Sequence, residues 1–372
     1  MCMHITIQSE SRPLKILFVM GYFPAPSQTY ILNMMIGLID RGHEVSIFAY
    51  RKNDVEPHPI AIQYSLMDSI IYEEFPAELP DCDIVFCQLG SLGNKIFKTE
   101  ALADWLQQRK LVVCLRGSDI TSNVKENPDL YKELFIGADL FLPVCEYFKK
   151  KLIALGCHPD KVVVHHSAIN CSQFFFKERK KPKDGVINFV SVCRLIRKKG
   201  INYALEAFAQ VAKKYKRIHF TVVGDGPERS RLESLIKKLQ LADKVTLCGW
   251  KTQQEVITIL DNSQVFLLPS LTSARGNEEG IANALKEAMA MGLISIATYH
   301  AGTPELVEDG VSGFLVPESN SELLAQKIKY VIKHTELWKK IGVAARKKIE
   351  DEFETKKAVK ELEQIFYQLL DF

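Results

Sequence analysis

Long apolar runs are missing from this 372-residue chain: none approaches the roughly 20 consecutive residues a membrane-spanning helix needs, so no span is expected. An excess of one charge is missing too. The formal net charge of +3, from 48 Lys and Arg against 45 Asp and Glu, lies too near balance for wholesale nucleic-acid binding. No cysteines stand as CxxC, and their number, nine, is odd. Cys82, Cys87, Cys114, Cys193 and Cys248 fall in or beside apolar runs. They are expected to be reduced small hydrophobes in a cytoplasmic protein, not disulfide partners or zinc ligands. The opening MCMHITIQSESRPLK lacks the apolar centre of a secretory signal, and its first ~12 residues are expected to form a loose leader. What remains is an ordinary globular composition, 47% hydrophobic and 25% charged. The chain is longer than one core usually grows, which predicts two domains.

The pattern along the chain repeats itself. Apolar runs at Leu14–Met20, Val45–Ala49, Ile84–Cys87, Leu111–Leu115, Leu140–Leu142 and Lys161–Val164 predict strands. Between them Tyr30–Asp40, Lys95–Arg109 and Glu146–Leu155 carry helical periodicity. Lys177–Asp184, KERKKPKD, reads as a linker. The alternation then restarts: strands at Val186–Val192, Ile218–Val223, Val245–Cys248, Val265–Leu268 and Leu293–Ala297, and helices at Asn202–Lys214, Glu228–Leu241 and Ile281–Met291. Strand–helix alternation of this kind predicts an α/β fold with two doubly wound parallel sheets facing across a cleft, ligands lying outside the strands' carboxyl ends. A first domain of 1–175, a second of 184–352 and a last helix, Glu354–Leu370, packing back on the first are expected.

The richest segment runs from Ser270 to Pro317. A polar, Gly-containing loop follows the strand Val265–Leu268, and a helix is expected to begin near Gly280, which puts Glu279 at a helix N-terminus. Glu287, eight residues on, would lie about 80° further round that helix. Two such carboxylates suit a ligand rich in hydroxyls. On spacing alone, a Glu279 that merely caps the helix and a solvated Glu287 remain the simpler reading. Arg194-Leu195-Ile196-Arg197-Lys198-Lys199-Gly200 follows a buried strand, where fixed cations can stabilise an expelled phosphate; a solvated basic loop is the alternative, and Arg197 and Lys198 are expected to be solvated. Gly224-Asp225-Gly226-Pro227 is a strand-to-helix turn, not a dinucleotide fingerprint, because Arg229 stands where the third glycine would be. Lys149-Lys150-Lys151 lies on an amphipathic helix. A solvated face is the favoured reading, and contact with anionic lipid the other.

The stretch Glu279-Gly280 … Glu287-Ala288-Met289-Ala290-Met291-Gly292, followed by Thr298, Gly302-Thr303-Pro304-Glu305-Leu306-Val307, Asp309-Gly310 and Gly313-Phe314-Leu315-Val316-Pro317, resembles the retaining glycosyltransferases of the GT-B fold, specifically glycosyltransferase family 4. Gly21-Tyr22-Phe23-Pro24, Ser27-Gln28-Thr29-Tyr30-Ile31-Leu32 and Arg41-Gly42-His43-Glu44-Val45 resemble relatives that build bacterial exopolysaccharides of the colanic-acid type. The resemblance implies a nucleotide diphosphate sugar donor, UDP-linked or, as the alternative, GDP-linked. It implies a hexose transferred with retention to a saccharide or lipid-linked glycan, and no metal or further cofactor.

It also implies residue roles. Glu279 would contact hexose hydroxyls, helped by the backbone of Gly280, Ile281 and Ala282. Glu287 would bind the ribose, and Arg194 and Lys199 the pyrophosphate. Gly249-Trp250 matches the segment that holds the base. Gly21 stands alone where many members have a Gly-Gly pair against the phosphates. Arg116-Gly117-Ser118-Asp119 occupies the place of the H-G-x-D loop, whose His is here Arg116, a permanent cation that cannot serve as acid or base. Asp119 is expected at the donor or holding that loop. His165-His166 … Phe174 matches the interdomain hinge and is a poor metal site. Asp81-Cys82-Asp83 copies the metal motif of the other major glycosyltransferase fold but precedes its strand, at the wrong end of the sheet. Acceptor choice would lie in the loops 52–68 and 90–98. The rival readings are an epimerase or hydrolase of the same fold, an inactive nucleotide-sugar-binding protein, and, for location, a peripheral place at the inner face of a membrane.

Overall fold

The computed structural model describes residues 12–24, 28–68, 70–73 and 78–371; most of the expected leader, and Ser27, lie outside them. Two six-stranded parallel sheets form. The first contains β1 (Lys15–Phe23), β2 (Glu44–Lys52), β3 (Ile70–Tyr72), β4 (Ile84–Cys87), β5 (Lys110–Leu115) and β6 (Leu140–Pro143) in the order β3-β2-β1-β4-β5-β6. The second contains β7 (Ile187–Val192), β8 (Ile218–Val223), β9 (Val245–Leu247), β10 (Val265–Leu268), β11 (Ile294–Thr298) and β12 (Phe314–Val316) in the order β12-β11-β10-β7-β8-β9. Counted from its own first strand, each sheet has the same order, and each reverses direction beside that strand: at β1/β4 and at β7/β10. The α/β, two-domain architecture of the sequence is the one observed.

Several elements differ from expectation. Lys161–Val164 is no strand: Lys161 ends a short turn and Val162 makes a single bridge to Phe141. Lys95–Arg109 is broken into helices Gly90–Phe97 and Ala103–Gln107 with a tighter turn between, so the expected 90–98 loop is mostly helix. β1 continues through Gly21 to Phe23 because Tyr22 and Phe23 still pair with Arg51 and Lys52 of β2.

The strands are buried on both faces, as parallel sheets require; all four residues of β4 and of β10 are buried. The helix Thr355–Leu369 lies on the first sheet, where rings stack edge-on from Phe18 to Phe86 at 5.2 Å and from Phe86 to Phe366 at 5.4 Å. It meets the helix Thr29–Ile39 at Gly37, where a Cβ would stand 2.7 Å from Val359 Cγ2. The second core is built around Phe208, with Phe189 at 5.5 Å and Phe220 at 5.4 Å. Linker residues are not all solvated: Arg179 is buried, and its guanidinium donates to the carbonyls of Asp261, Ser263 and Met291. The chain crosses between the halves twice, side by side: Ile169 N–H donates to Phe353 O and Thr355 N–H to Ile169 O.

Candidate active site

Both sheets turn their carboxyl edges to the same interface. At the second switch point the loops after β7 and β10 are laced together. Gly200 has φ +64°, and a Cβ there would sit 1.9 Å from Pro269 O, so only glycine lets the two loops touch. Leu271 N–H then donates to Lys198 O at 2.8 Å. This contact brings the ammonium of Lys199, mostly buried, onto Glu279 Oε1. Ser270 Oγ donates to Glu279 Oε2 at 3.3 Å. Burial works against ionisation of Glu279, but the charges of Lys199 and Lys198 outweigh it and its pKa is lowered. Glu279 N–H donates to His300 Nε2 at 3.0 Å, while His300 Nδ1 lies 2.6 Å from Glu318 Oε1. That pair of contacts makes Nδ1 the protonated nitrogen and Nε2 the acceptor. His300 and Glu318 were not singled out by the sequence; their bonds to Glu279 and to each other span 18 residues or more.

The helix carrying Glu287 begins at Asn283, four residues after Glu279, and not near Gly280. Glu279 is therefore a loop residue, and the helical angle expected between the two carboxylates does not apply. Ahead of that helix the backbone N–H groups of Gly280, Ile281 and Ala282 make no hydrogen bond to the described residues. Such unfilled donors at a helix start favour an oxyanion or a hydroxyl. Arg194 is exposed and has no ion-pair partner among the described residues. Lys198, expected in solvent, is instead half-buried with its Nζ 3.0 Å from Asn277 Oδ1; burial lowers its pKa. Arg197 pairs loosely with Glu228 at 3.4 Å and is exposed.

Glu287 lines a small cavity with Asn283, Gln253, Asn170, Thr29 and Tyr30, drawn from both halves and the hinge. Burial pushes its carboxyl up to about 7. Beside it, Lys286 is fully buried and donates to both the carbonyl and the hydroxyl of Ser167; burial brings its ammonium down to about 7. No local pattern marked Lys286, whose partner is 119 residues away.

From the first sheet, Arg116 follows β5 and donates through Nη2 to Gln88 Oε1 at 2.8 Å. Asp119 is buried, and its carboxylate accepts the N–H groups of Gly117 at 2.7 Å and of Gly90 and Arg116 at 3.1 Å. Its carboxylate thus holds the Arg116 loop together, one of the two places expected for Asp119. Gly21 lies within β1 and not in a loop after it, and among the described residues a Cβ there would meet Leu92 alone, at 3.9 Å.

The two halves are fastened round this site. Glu278 accepts from Tyr147 OH at 3.0 Å and pairs with Lys151 at 2.5 Å. Lys151 is therefore an interdomain contact and not part of a solvated face. Glu305 accepts the N–H groups of Glu146 at 2.8 Å and Tyr147 at 2.9 Å. Gly280 and Gly302 admit the neighbouring domain: a Cβ on Gly280 would lie 2.8 Å from Val144 Cγ2, and one on Gly302 2.9 Å from Cys145 Cβ. Asp81 and Asp83, by contrast, bind Lys15, Arg109 and Arg12 at the opposite, amino edge. Among the described residues no group of three or more His, Cys, Asp or Glu is placed to hold a metal ion, and no helix is long and apolar enough to cross a membrane.

Comparison with known proteins agrees with this architecture. A model described as Glycosyl transferases group 1 matches residues 172–348, from the end of the hinge to the helix before the second crossing. The amylovoran biosynthesis glycosyltransferase AmsK of Erwinia amylovora is 30% identical over 96% of this chain and 100% of its own. Among solved structures, a glycosyltransferase of Rickettsia africae superposes with a TM-score of 0.75 at 20% identity, covering 97% of this chain and 99% of that one. HepE of Anabaena, in complex with UDP-glucose, gives 0.75 at 18% identity over 95% and 100%.

Proposed function

This chain belongs to the group 1 glycosyltransferases, and from that premise we propose that it moves a hexose from a nucleotide diphosphate sugar to a saccharide or lipid-linked glycan, with retention and without a metal. The observation that carries the reading is the Lys199–Glu279 pair beside an unpaired Arg194 and three unfilled backbone donors, all at the carboxyl edge of the second sheet. Each member of the pair has a better partner in such a donor: the diphosphate for Lys199, a hexose hydroxyl for Glu279. As the bond from the anomeric carbon to the diphosphate oxygen breaks, negative charge grows on that oxygen. Arg194 and Lys199 meet it with fixed positive charge, which supplies what a metal would otherwise do.

Gly280, Ile281 and Ala282 orient the sugar, and Glu287 takes the ribose. UDP is the first choice of nucleotide and GDP the second. Departure and attack on one face of the sugar accounts for retention, with Glu279 given to the hexose hydroxyls and Ser270 rather than to the anomeric carbon. The acceptor enters over the first sheet, whose loops complete the site when the halves close. The protein works in the cytoplasm, with attachment to the inner face of a membrane as a second location.

The test is nucleotide release from UDP- and GDP-sugars, with and without saccharide acceptors, for the wild type and Lys199→Ala. Release should depend on acceptor and fall by about 10²–10³-fold in the variant, the size of effect seen when one preorganised donor to a developing oxyanion is removed. Undiminished release would overturn the diphosphate role. Release that ignores acceptor would make the protein a hydrolase or epimerase, and binding without release an inactive carrier.

A further inference from the structure

Arg116 is a half-buried cation with no counter-ion among the described residues. Its guanidinium carbon lies 4.6 Å from the centre of the Tyr30 ring, and its one side-chain hydrogen bond goes to the neutral amide oxygen of Gln88. No carboxylate comes within ion-pair distance of it among the described residues. Asp119 acts on it only from farther off, with its oxygens turned to three backbone N–H groups. Two donors at this spot have no partner among the described residues: Arg116 Nε and Gln88 Nε2, the latter on a side chain of a residue only 2% exposed. Arg109 and Arg179 also leave Nε without a partner among the described residues, but the rest of each guanidinium is met by a charge or by more acceptors. Arg109 pairs with Asp81, and Arg179 donates to three carbonyl oxygens.

A buried guanidinium persists where something pairs with it, and a free planar fork matches a carboxylate in bidentate fashion. The place matters as much as the charge. A Cβ on Gly280 would lie 3.5 Å from Arg116 O, and one on Gly117 3.5 Å from Glu278 O. The Arg116 loop is therefore laid against the residues on either side of Glu279. Resting on the donor reading above, we propose that Arg116 and Gln88 bind the carboxylate of an acidic sugar, so that one of the two sugars joined by this enzyme is a uronic acid. The hydroxyls of a neutral hexose could accept from both donors but would leave the charge without a counter-ion. The carboxylate belongs to the donor or to the acceptor sugar, and the arms of the test separate these.

Calorimetry on the full chain would compare UDP-glucuronate with UDP-glucose, and methyl glucuronoside with methyl glucoside, the monosaccharides both with and without UDP. If UDP does not bind, GDP-mannuronate and GDP-mannose replace the donor pair. The wild type should bind the acidic member about tenfold or more tighter in one arm, as a charge-assisted bidentate contact predicts. Arg116→Gln should abolish that preference while retaining affinity for the free nucleotide, and Arg116→Lys should restore part of it. Without ligand, Arg116→Gln should melt no lower than the wild type, because it removes a half-buried charge with no counter-ion among the described residues; a purely structural arginine would lower the melting point. Equal binding of acidic and neutral sugars in both arms would overturn the proposal. So would loss of free-nucleotide affinity in Arg116→Gln, which would put the guanidinium on the diphosphate. Binding of neither nucleotide would overturn the donor reading itself, and the monosaccharide arm would then decide Arg116 alone.

Discussion

The two halves have one topology and treat their buried cations in opposite ways. At the β7/β10 switch Lys199 is set against Glu279, which also holds Ser270 and, through its backbone, His300. At the β1/β4 side Arg116 faces only the amide of Gln88 and the ring of Tyr30. Lys199 thus has a carboxylate partner before any ligand arrives, while Arg116 has none among the described residues. This contrast has a direct consequence for stability: removing Lys199 should cost stability and removing Arg116 should not. Lys199→Met leaves Glu279 mostly buried and uncompensated, and we expect a loss of about 3 kcal/mol, the lower end of the range for breaking a buried pair. Adding Glu279→Gln to Lys199→Met should recover most of it, since the orphaned charge is then gone. Urea denaturation of the two variants beside Arg116→Gln checks the contrast. A Lys199→Met protein as stable as the wild type would dissolve it.

Lys286 sits where the halves join and sharpens the comparison through pH. Burial takes its pKa from an ordinary 10.5 down to about 7. The folded value lies below the unfolded one, so in that window the unfolded chain holds a proton that the folded chain has released. Stability from this group therefore rises with pH between about 7 and about 10, and the cost of its charge is fully present below that window. Lys286→Met removes the cost together with the bonds to Ser167. We expect a gain of about 2 kcal/mol near pH 7 that shrinks and reverses as pH climbs through the window. Melting curves of the pair across this range test it, and a constant offset at every pH would show that the ammonium is not desolvated as the structure indicates.

What could be read in the sequence follows from how local each signal is. Buried parallel strands are continuous apolar runs, so Ile84–Cys87 and Val265–Leu268 were legible to the residue. β3 and β12, three residues each, were not legible as strands, whereas the equally short β9 was, so length alone does not decide it. Gly21 looked like a loop because glycine ends strands more often than it continues them, yet pairing of Tyr22 and Phe23 with β2 carries the strand past it. The loops bearing Arg194, Lys199 and Glu279 were legible because residue type and position after a strand coincide. Glu278, Lys286, Lys151 and Gln88 were not. Each is defined by a partner between 28 and 127 residues away, and nothing in its own neighbourhood records that.

Glu305 shows the smallest expected effect and the most direct reading of closure. The helix Glu146–Ala154 begins at Cys145, which offers no side-chain cap. Its first two N–H groups are instead filled by Glu305, from the opposite half and about 160 residues on. The second half thus caps a helix of the first, and this cap exists only while the halves are closed. Glu305→Ala should cost about 1 kcal/mol, the ordinary worth of a helix cap. The loss should also be local: amide exchange should quicken at Glu146 and Tyr147 and stay unchanged in the helix Ser321–Lys333, which has its own cap in Asn320. Saturating nucleotide, by holding the halves together, should slow exchange at the same two amides in the wild type and have little effect on them in Glu305→Ala. Equal slowing in both proteins would mean that the capping contact is incidental to closure, and the two halves would then be held by their other contacts, among them the Lys151–Glu278 pair and the bonds of Lys286 to Ser167.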